Sequence, residues 1–455
     1  MSGSHSSPRR RPWRALGLVG LFAVAVVVAA YAVVRPGDGG SATDVAASAT
    51  ASPSRTPSPR PSTAPPADRA PLAGAAESRA AAAPAQKVVP GQLIRHKPRG
   101  PVYHPDQEVW EAPQPAHPQN PDNPLAGRVW GVYTGDREDT WETYEAASGE
   151  ERDLLGRIAL RPKATWLGDW SASPEEIGAE MEEYIADMSG GDPDTLVQMS
   201  IFRMVPWEHD ACGSGPSGAD SEAYRAWVSN AAEAIGSQHT AIILQPDLPF
   251  WWCSDREAVS ELMRFSVETF ASLPHTSVYL DAGAADWSST PQTGEPRPEQ
   301  AAEMLLANGI EDARGFALNA THYVGLSESV AYGARLAEIL AEQGVDAHFV
   351  VDTAQNGNGM LWPEVDAEGG VADNARICQS TSDRAGCATL GVPPTSRVGD
   401  PRWELPAEQR REAMTYADGF LWFSRSWMYM QAEWQGPERA LDMARSTSWP
   451  GPGGW

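Results

Sequence analysis

Seven short apolar runs recur along the chain, separated by stretches of helical periodicity. They are 164–167, 196–202, 241–244, 277–280, 315–318, 347–351 and 419–423. Uncharged runs of this length, closed by Pro, Gly or a polar residue, read as strands buried in a parallel sheet. Between the second and third, Ser221–Ile235 places Tyr224, Trp227, Val228, Ala231, Ala234 and Ile235 on one helical face. Pro174-Glu175-Glu176 opens another helix, with acidic residues in the first turn as the helix dipole prefers. Strand and helix in alternation predict an α/β domain, a closed or nearly closed parallel β/α barrel.

Two runs end on a carboxylate. Ala241-Ile242-Ile243-Leu244-Gln245-Pro246 leads to Asp247, and Ser277-Val278-Tyr279-Leu280 leads to Asp281. The C-terminal ends of barrel strands are where barrel enzymes carry their chemistry. The plainer alternative is that each Asp caps the helix that follows.

Charge divides the chain. Of its 35 basic and 60 acidic residues, the first hundred positions hold 13 and 4. The remainder carries a formal charge of −34. Such a domain repels phosphate backbones, so no nucleic-acid partner is expected and a neutral ligand fits better. All but one of the 18 Trp lie beyond residue 100, and their faces suit sugar rings as well as a core.

The N-terminal segment 1–35 is a basic stretch with Arg9, Arg10, Arg11 and Arg14, then an uncharged run from Ala15 to Val34. That length spans a bilayer core, and the flanking charge favours a cytoplasmic N-terminus. The reading preferred is an uncleaved anchor. The alternative is a signal peptide, since Ala30-Tyr31-Ala32 offers a small-x-small cleavage site. Either places the rest outside the cytoplasm. Residues 36–90, rich in Pro, Ala and Ser, read as a disordered linker, and 91–122 as a Pro-rich lead-in. The globular domain is expected over 123–455, as a monomer.

An extracytoplasmic chain with four Cys is expected to form disulfides. Cys212 and Cys253 each follow a strand, and Cys378 and Cys387 share one loop. Of three pairings, 212–253 with 378–387 is expected. No CxxC occurs and no His has ligand spacing, so neither metal nor cofactor is expected.

In order and spacing, several motifs resemble glycoside hydrolase family 6, the inverting cellulases. Asn123-Pro124-Leu125-Ala126-Gly127 is similar to its NPFAG, Ile243-Leu244-Gln245-Pro246-Asp247 to its ILEPD, and Val278-Tyr279-Leu280-Asp281-Ala282-Gly283 to its VYLDAG. Gly315–Asn319, His348–Thr353 and Asn356-Gly357-Asn358-Gly359 continue the series. The resemblance implies a distorted seven-stranded parallel β/α barrel that hydrolyses β-1,4-linked glucan or a related polysaccharide or oligosaccharide with inversion. It implies Asp247 as general acid, Asp210 as its helper displaced by one position from the family's place, and Asp281 as a residue that shapes the centre. It also implies Trp166 and Trp287 as sugar-stacking residues and Asn319 as a polar substrate contact.

The resemblance breaks after the last strand. Where the family has a Lys and a Glu that bind sugar and an Asp proposed as the base, this chain has Ser424, Met428 and Met430. Ala284 replaces a His, Gln245 a Glu, Gln355 an Arg and Ile377 a Trp. An inverting hydrolase needs a base on the face opposite its acid. Two readings follow. One is an active, divergent glycosidase that relays its water to another carboxylate, such as Asp281 or Glu433. The other is a cell-surface carbohydrate-binding protein on a hydrolase scaffold. A cell-envelope interaction protein without sugar specificity is a third.

Overall fold

The structure, a computed structural model, describes Pro113 and residues 115–449, apart from 136, 205–214, 288–294, 363, 365–372 and 384–385. Segment 1–35, the linker 36–90 and most of the lead-in lie outside the described residues, as do Asp210 and Cys212. Among the described residues no helix is long and apolar enough to cross a membrane.

Seven strands form one parallel sheet in sequence order. They are β1 (Thr165–Gly168), β2 (Val197–Phe202), β3 (Thr240–Leu244), β4 (Thr276–Asp281), β5 (Gly315–Leu318), β6 (His348–Asp352) and β7 (Ala417–Leu421). Each matches an expected run to within two residues. The largest shift is at β7, which ends before Trp422 and Phe423. Those two carbonyls turn instead toward β1: Ala164 N donates to Trp422 O at 2.9 Å, and Trp166 Nε1 donates to Phe423 O. The edge strands thus meet through these bonds and not through a ladder, so the barrel is incompletely closed.

The two-residue period of the strands sorts side chains to opposite faces. Ala241, Ile243, Tyr279, Ala317, Val350 and Leu421 point inward and pack with Leu125 and Trp130. Their neighbours Ile242, Leu244, Val278, Leu280 and Phe349 pack outward against the helices. The helix Gly218–Ile235 starts at a capping box between Ser217 and Asp220. The helix expected from Pro174 begins instead at Ile177, because Glu176 N and Ile177 N both bond to Ser173 O in a preceding turn.

At the N-terminal end of the barrel one buried carboxylate gathers distant parts of the chain. Asp418, fully buried in β7, accepts from Tyr279 Oη at 2.8 Å, Arg314 Nε at 2.7 Å and Asn120 Nδ2 at 2.8 Å. Asn123 Nδ2 donates to its carbonyl at 2.8 Å. This network ties residues 120–123 to β4, β5 and β7. Asp418→Ala strips a buried phenol and guanidinium of their acceptor, and is expected to destabilise the domain by about 3–5 kcal/mol. Urea denaturation measures this, and an unchanged midpoint would show that the network is incidental.

Candidate active site at the strand ends

The C-terminal ends of β3, β4, β5 and β6 carry the chemistry-bearing groups. After β3 the backbone turns through Gln245 (φ 53°) and Asp247 (φ 69°), a left-handed conformation that costs non-glycine residues energy and collects at functional sites. The fully buried Gln245 stabilises the turn, its Oε1 accepting from Met204 N at 3.1 Å beyond the end of β2. Asp247 N donates to Asp281 Oδ2 at 2.9 Å. The Asp247 carboxyl makes no capping bond to the 3-10 turn Leu248–Cys253 that follows. A capping role therefore does not explain this residue. Burial, and next the charge of Asp373, push its carboxyl up to about 7, with His322 opposing.

Asp281, at the end of β4, is fully buried and serves both loops, since its Oδ1 accepts from Gly283 N at 3.2 Å. Burial and then the neighbouring Asp247 push it up to about 8. A second pair lies beside these carboxylates. Asp286 Oδ1 and His322 Nδ1 are 2.7 Å apart, and Trp362 N donates to Asp286 Oδ2 at 2.8 Å. Burial works against the charge on His322, but Asp286, Asp281 and Asp247 outweigh it and raise its pKa above the usual 6.5. Burial likewise works against the charge on Asp286, and His322 outweighs it. The rings of Trp287 and Trp362 lie nearly parallel to His322, at 5.0 and 4.3 Å. The His322 Nε2 is buried without a partner among the described residues.

The expected site residues divide accordingly. Asp247, Asp281 and Trp287 come together. Asn319 stands beside them, but its amide is committed: Nδ2 donates to Asp352 O at 3.0 Å, and Oδ1 accepts from Val324 N at 3.0 Å. It is buried and shapes the β5 loop. Trp166 lies on the β1–β7 side, and the Arg425 guanidinium sits over its ring at 4.7 Å. Trp166 is 9 % exposed, so a cation occupies the face expected to stack sugar. Glu138, Lys163, Trp427 and Trp434 line the same recess.

The residues expected to differ from the family pattern bond internally where they are described. Ser424 Oγ accepts from Thr321 N at 2.8 Å, and Gln355 Nε2 donates to His322 O at 2.8 Å. Cys378 and Cys387 form a disulfide with Cα atoms 5.0 Å apart. Cys253 is also disulfide-bonded, and the expected partner Cys212 lies outside the described residues.

Asp286, His322, Asp352 and Asp373 are the residues that sequence reasoning missed. Asp352 ends β6 as Asp281 ends β4, and burial pushes it up to about 7. The strand-end pattern contained that signal. Nothing local marks the other three.

The family model described as Glycosyl hydrolases family 6 matches residues 131–405. The chain belongs to this family. Endoglucanase A of Cellulomonas fimi is 29% identical over 325 residues, covering 70% of this chain and 62% of the relative. Endoglucanase 1 of Streptomyces halstedii is 31% identical over 228 residues, covering 48% and 66%. The chain thus spans less than two thirds of the length of these two relatives. Among solved structures, the endoglucanase Cel6 of Mycobacterium tuberculosis superposes with a TM-score of 0.54 at 24% identity, covering 70% of this chain and 98% of that one. At that identity the likeness establishes the family 6 fold.

Asp247 ionises near 3.8 in an unfolded chain and near 7 in the folded one. Between those values the folded state keeps a proton that the unfolded state has released, so stability falls as pH rises through the window. Asp247→Asn removes this loss. Thermal melts from pH 4 to 8 should show the variant gaining on the native protein as pH rises. Parallel curves would mean an ordinary carboxylate.

Proposed function

We propose that the domain is an inverting glycoside hydrolase acting on β-1,4-linked glucan or a related oligosaccharide, with Asp247 as general acid. One observation carries the reading: a strand-end carboxyl, uncapped and beside a second carboxylate, with its pKa raised to about 7. Such a group keeps its proton near neutral pH and can give it to a leaving oxygen. Family membership and relatives named as endoglucanases support the substrate class.

In this scheme the glycosidic bond lies over the ends of β3 and β4. Asp281 fixes the backbone of Asp247, and the Asp286–His322 pair supplies a buried cation that tempers the repulsion among the carboxylates. Water attacks the anomeric carbon from the opposite face. Trp287 and Trp362 give the centre an aromatic wall. With Arg425 over Trp166, the β1–β7 end is ill suited to a neutral glucose ring. A soluble oligosaccharide or an envelope glycan therefore fits better than crystalline cellulose. The same feature favours the second reading, a carbohydrate-binding protein on a hydrolase scaffold. The domain is proposed to act outside the cytoplasm, held by the apolar run Ala15–Val34. The basic flank of that run and the Cys378–Cys387 disulfide support this placement.

Incubation with a glycan panel, reading both cleavage and binding, tests the proposal. Asp247→Asn should lower turnover by about 10²–10⁴ while ligand binding and folding persist. Native turnover in the variant would remove Asp247 as the acid. NMR of the first-formed product should show an inverted anomeric centre. Retention would exclude the scheme, and binding without any product would establish the binding-protein reading.

A further inference from the structure

The motif resemblance puts Met430 where the family has its proposed base, and an inverting hydrolase cannot do without a proton acceptor for its water. The carboxylates around Asp247 narrow the choice. Asp281 is fully buried with both oxygens bonded to backbone N–H groups. Asp286 is taken by His322 and Trp362 N. Asp352 is 1 % exposed, and its Oδ1 accepts from Ala354 N at 2.8 Å. Asp373 differs from all three. The residue keeps some surface exposure although burial is the main influence on its carboxyl, and among the described residues no hydrogen bond occupies that carboxyl.

Its segment is also anchored at the centre. Arg439 Nη2 donates to Ala375 O at 2.8 Å, and the hydroxyl of the buried Tyr323 bonds to the backbone of Ala375. Tyr323 adjoins His322 in sequence. On the far side, Cys378 N donates to Ala388 O at 3.0 Å, Ala388 N donates to Arg376 O at 2.8 Å, and the Cys378–Cys387 disulfide closes the loop. Asp373 therefore hangs from a clamped strip of backbone beside His322, near enough for its charge to act on Asp247.

We propose that Asp373, supplied by the loop after β6, is the general base of this chain, in place of the carboxylate lost at Met430. The proposal rests on the hydrolase reading above. Water attacks the anomeric carbon as the bond to the leaving oxygen breaks. Asp247 gives that oxygen its proton, and the proton released by water passes to the Asp373 carboxylate. Burial raises Asp373 and the His322 cation opposes that rise. Asp247 feels the same cation and, in addition, the charge of Asp373.

The test compares Asp373→Ala, Asp373→Asn and Asp247→Asn on cellotetraose and on dinitrophenyl β-cellobioside, whose leaving group needs no proton. Thermal melts confirm folding. Both Asp373 variants should lose about 10²–10⁴ in kcat on both substrates. Azide should restore Asp373→Ala by attacking the anomeric carbon itself and giving the α-glycosyl azide. The acid limb of the pH–rate profile should vanish with Asp373. Asp247→Asn should fail on cellotetraose and retain the activated glycoside. Near-native turnover in a folded Asp373 variant, with Asp247→Asn inactive on cellotetraose, would overturn the assignment and leave the hydrolase reading intact. An unmodified protein that cleaves neither substrate nor any glycan of the panel would overturn both.

Discussion

The hydrogen bond from Asp247 N to Asp281 Oδ2 joins the ends of two adjacent parallel strands. It is made possible by the left-handed backbone at Asp247, which turns that N–H toward β4 and leaves the carboxyl free of the turn that follows. Asp281 in turn holds Gly283, whose carbonyl accepts from Asn319 N at 2.7 Å at the end of β5. Asn319 then reaches Asp352 O at the end of β6. One chain of bonds thus runs across four strand ends. Its cost is a fully buried carboxyl, Asp281, which resists ionisation because burial and a neighbouring acid both disfavour charge. The raised pKa of Asp247 has the same kind of origin, whereas His322 is raised by the surrounding carboxylates against the effect of burial.

Most of the fold was legible because it depends on local pattern. Strands buried on both faces carry charge only at their ends or where it is paired, as Asp418 is with Arg314, and all seven runs became strands. The errors fell where tertiary bonds set the boundary. Trp422 and Phe423 look like strand and leave it to meet β1. Glu175 and Glu176 look like a first turn and precede the helix. The site was half legible. Asp247 and Asp281 stand out because a carboxylate ending an apolar run is conspicuous. Asp286 and His322 are 36 positions apart, and no spacing rule predicts their pairing. Asp373 lies in a polar loop with no periodicity, and its place beside the centre depends on Arg439 and Tyr323.

Gln355 and Ser424 both bond to the β5 loop that carries His322. His322 supplies a cation within the centre. Arg425 lies flat on Trp166 on the β1–β7 side, and burial lowers its pKa to about 10. The cation–π contact favours keeping it there, against the cost of burying its charge. The recess on the β1–β7 side is thus cationic around Arg425, whereas the surroundings of Trp287 are aromatic.

Burial and neighbouring charge favour the protonated form of Asp247 near neutral pH. Site-resolved carboxyl titration by ¹³C NMR on aspartate-labelled protein, with the resonance assigned by its absence in Asp247→Asn, tests this directly. The Asp247 carboxyl is expected to titrate at about 7. A midpoint near the ordinary 3.8 would contradict it, because that group would be ionised at neutral pH and could not act as the acid.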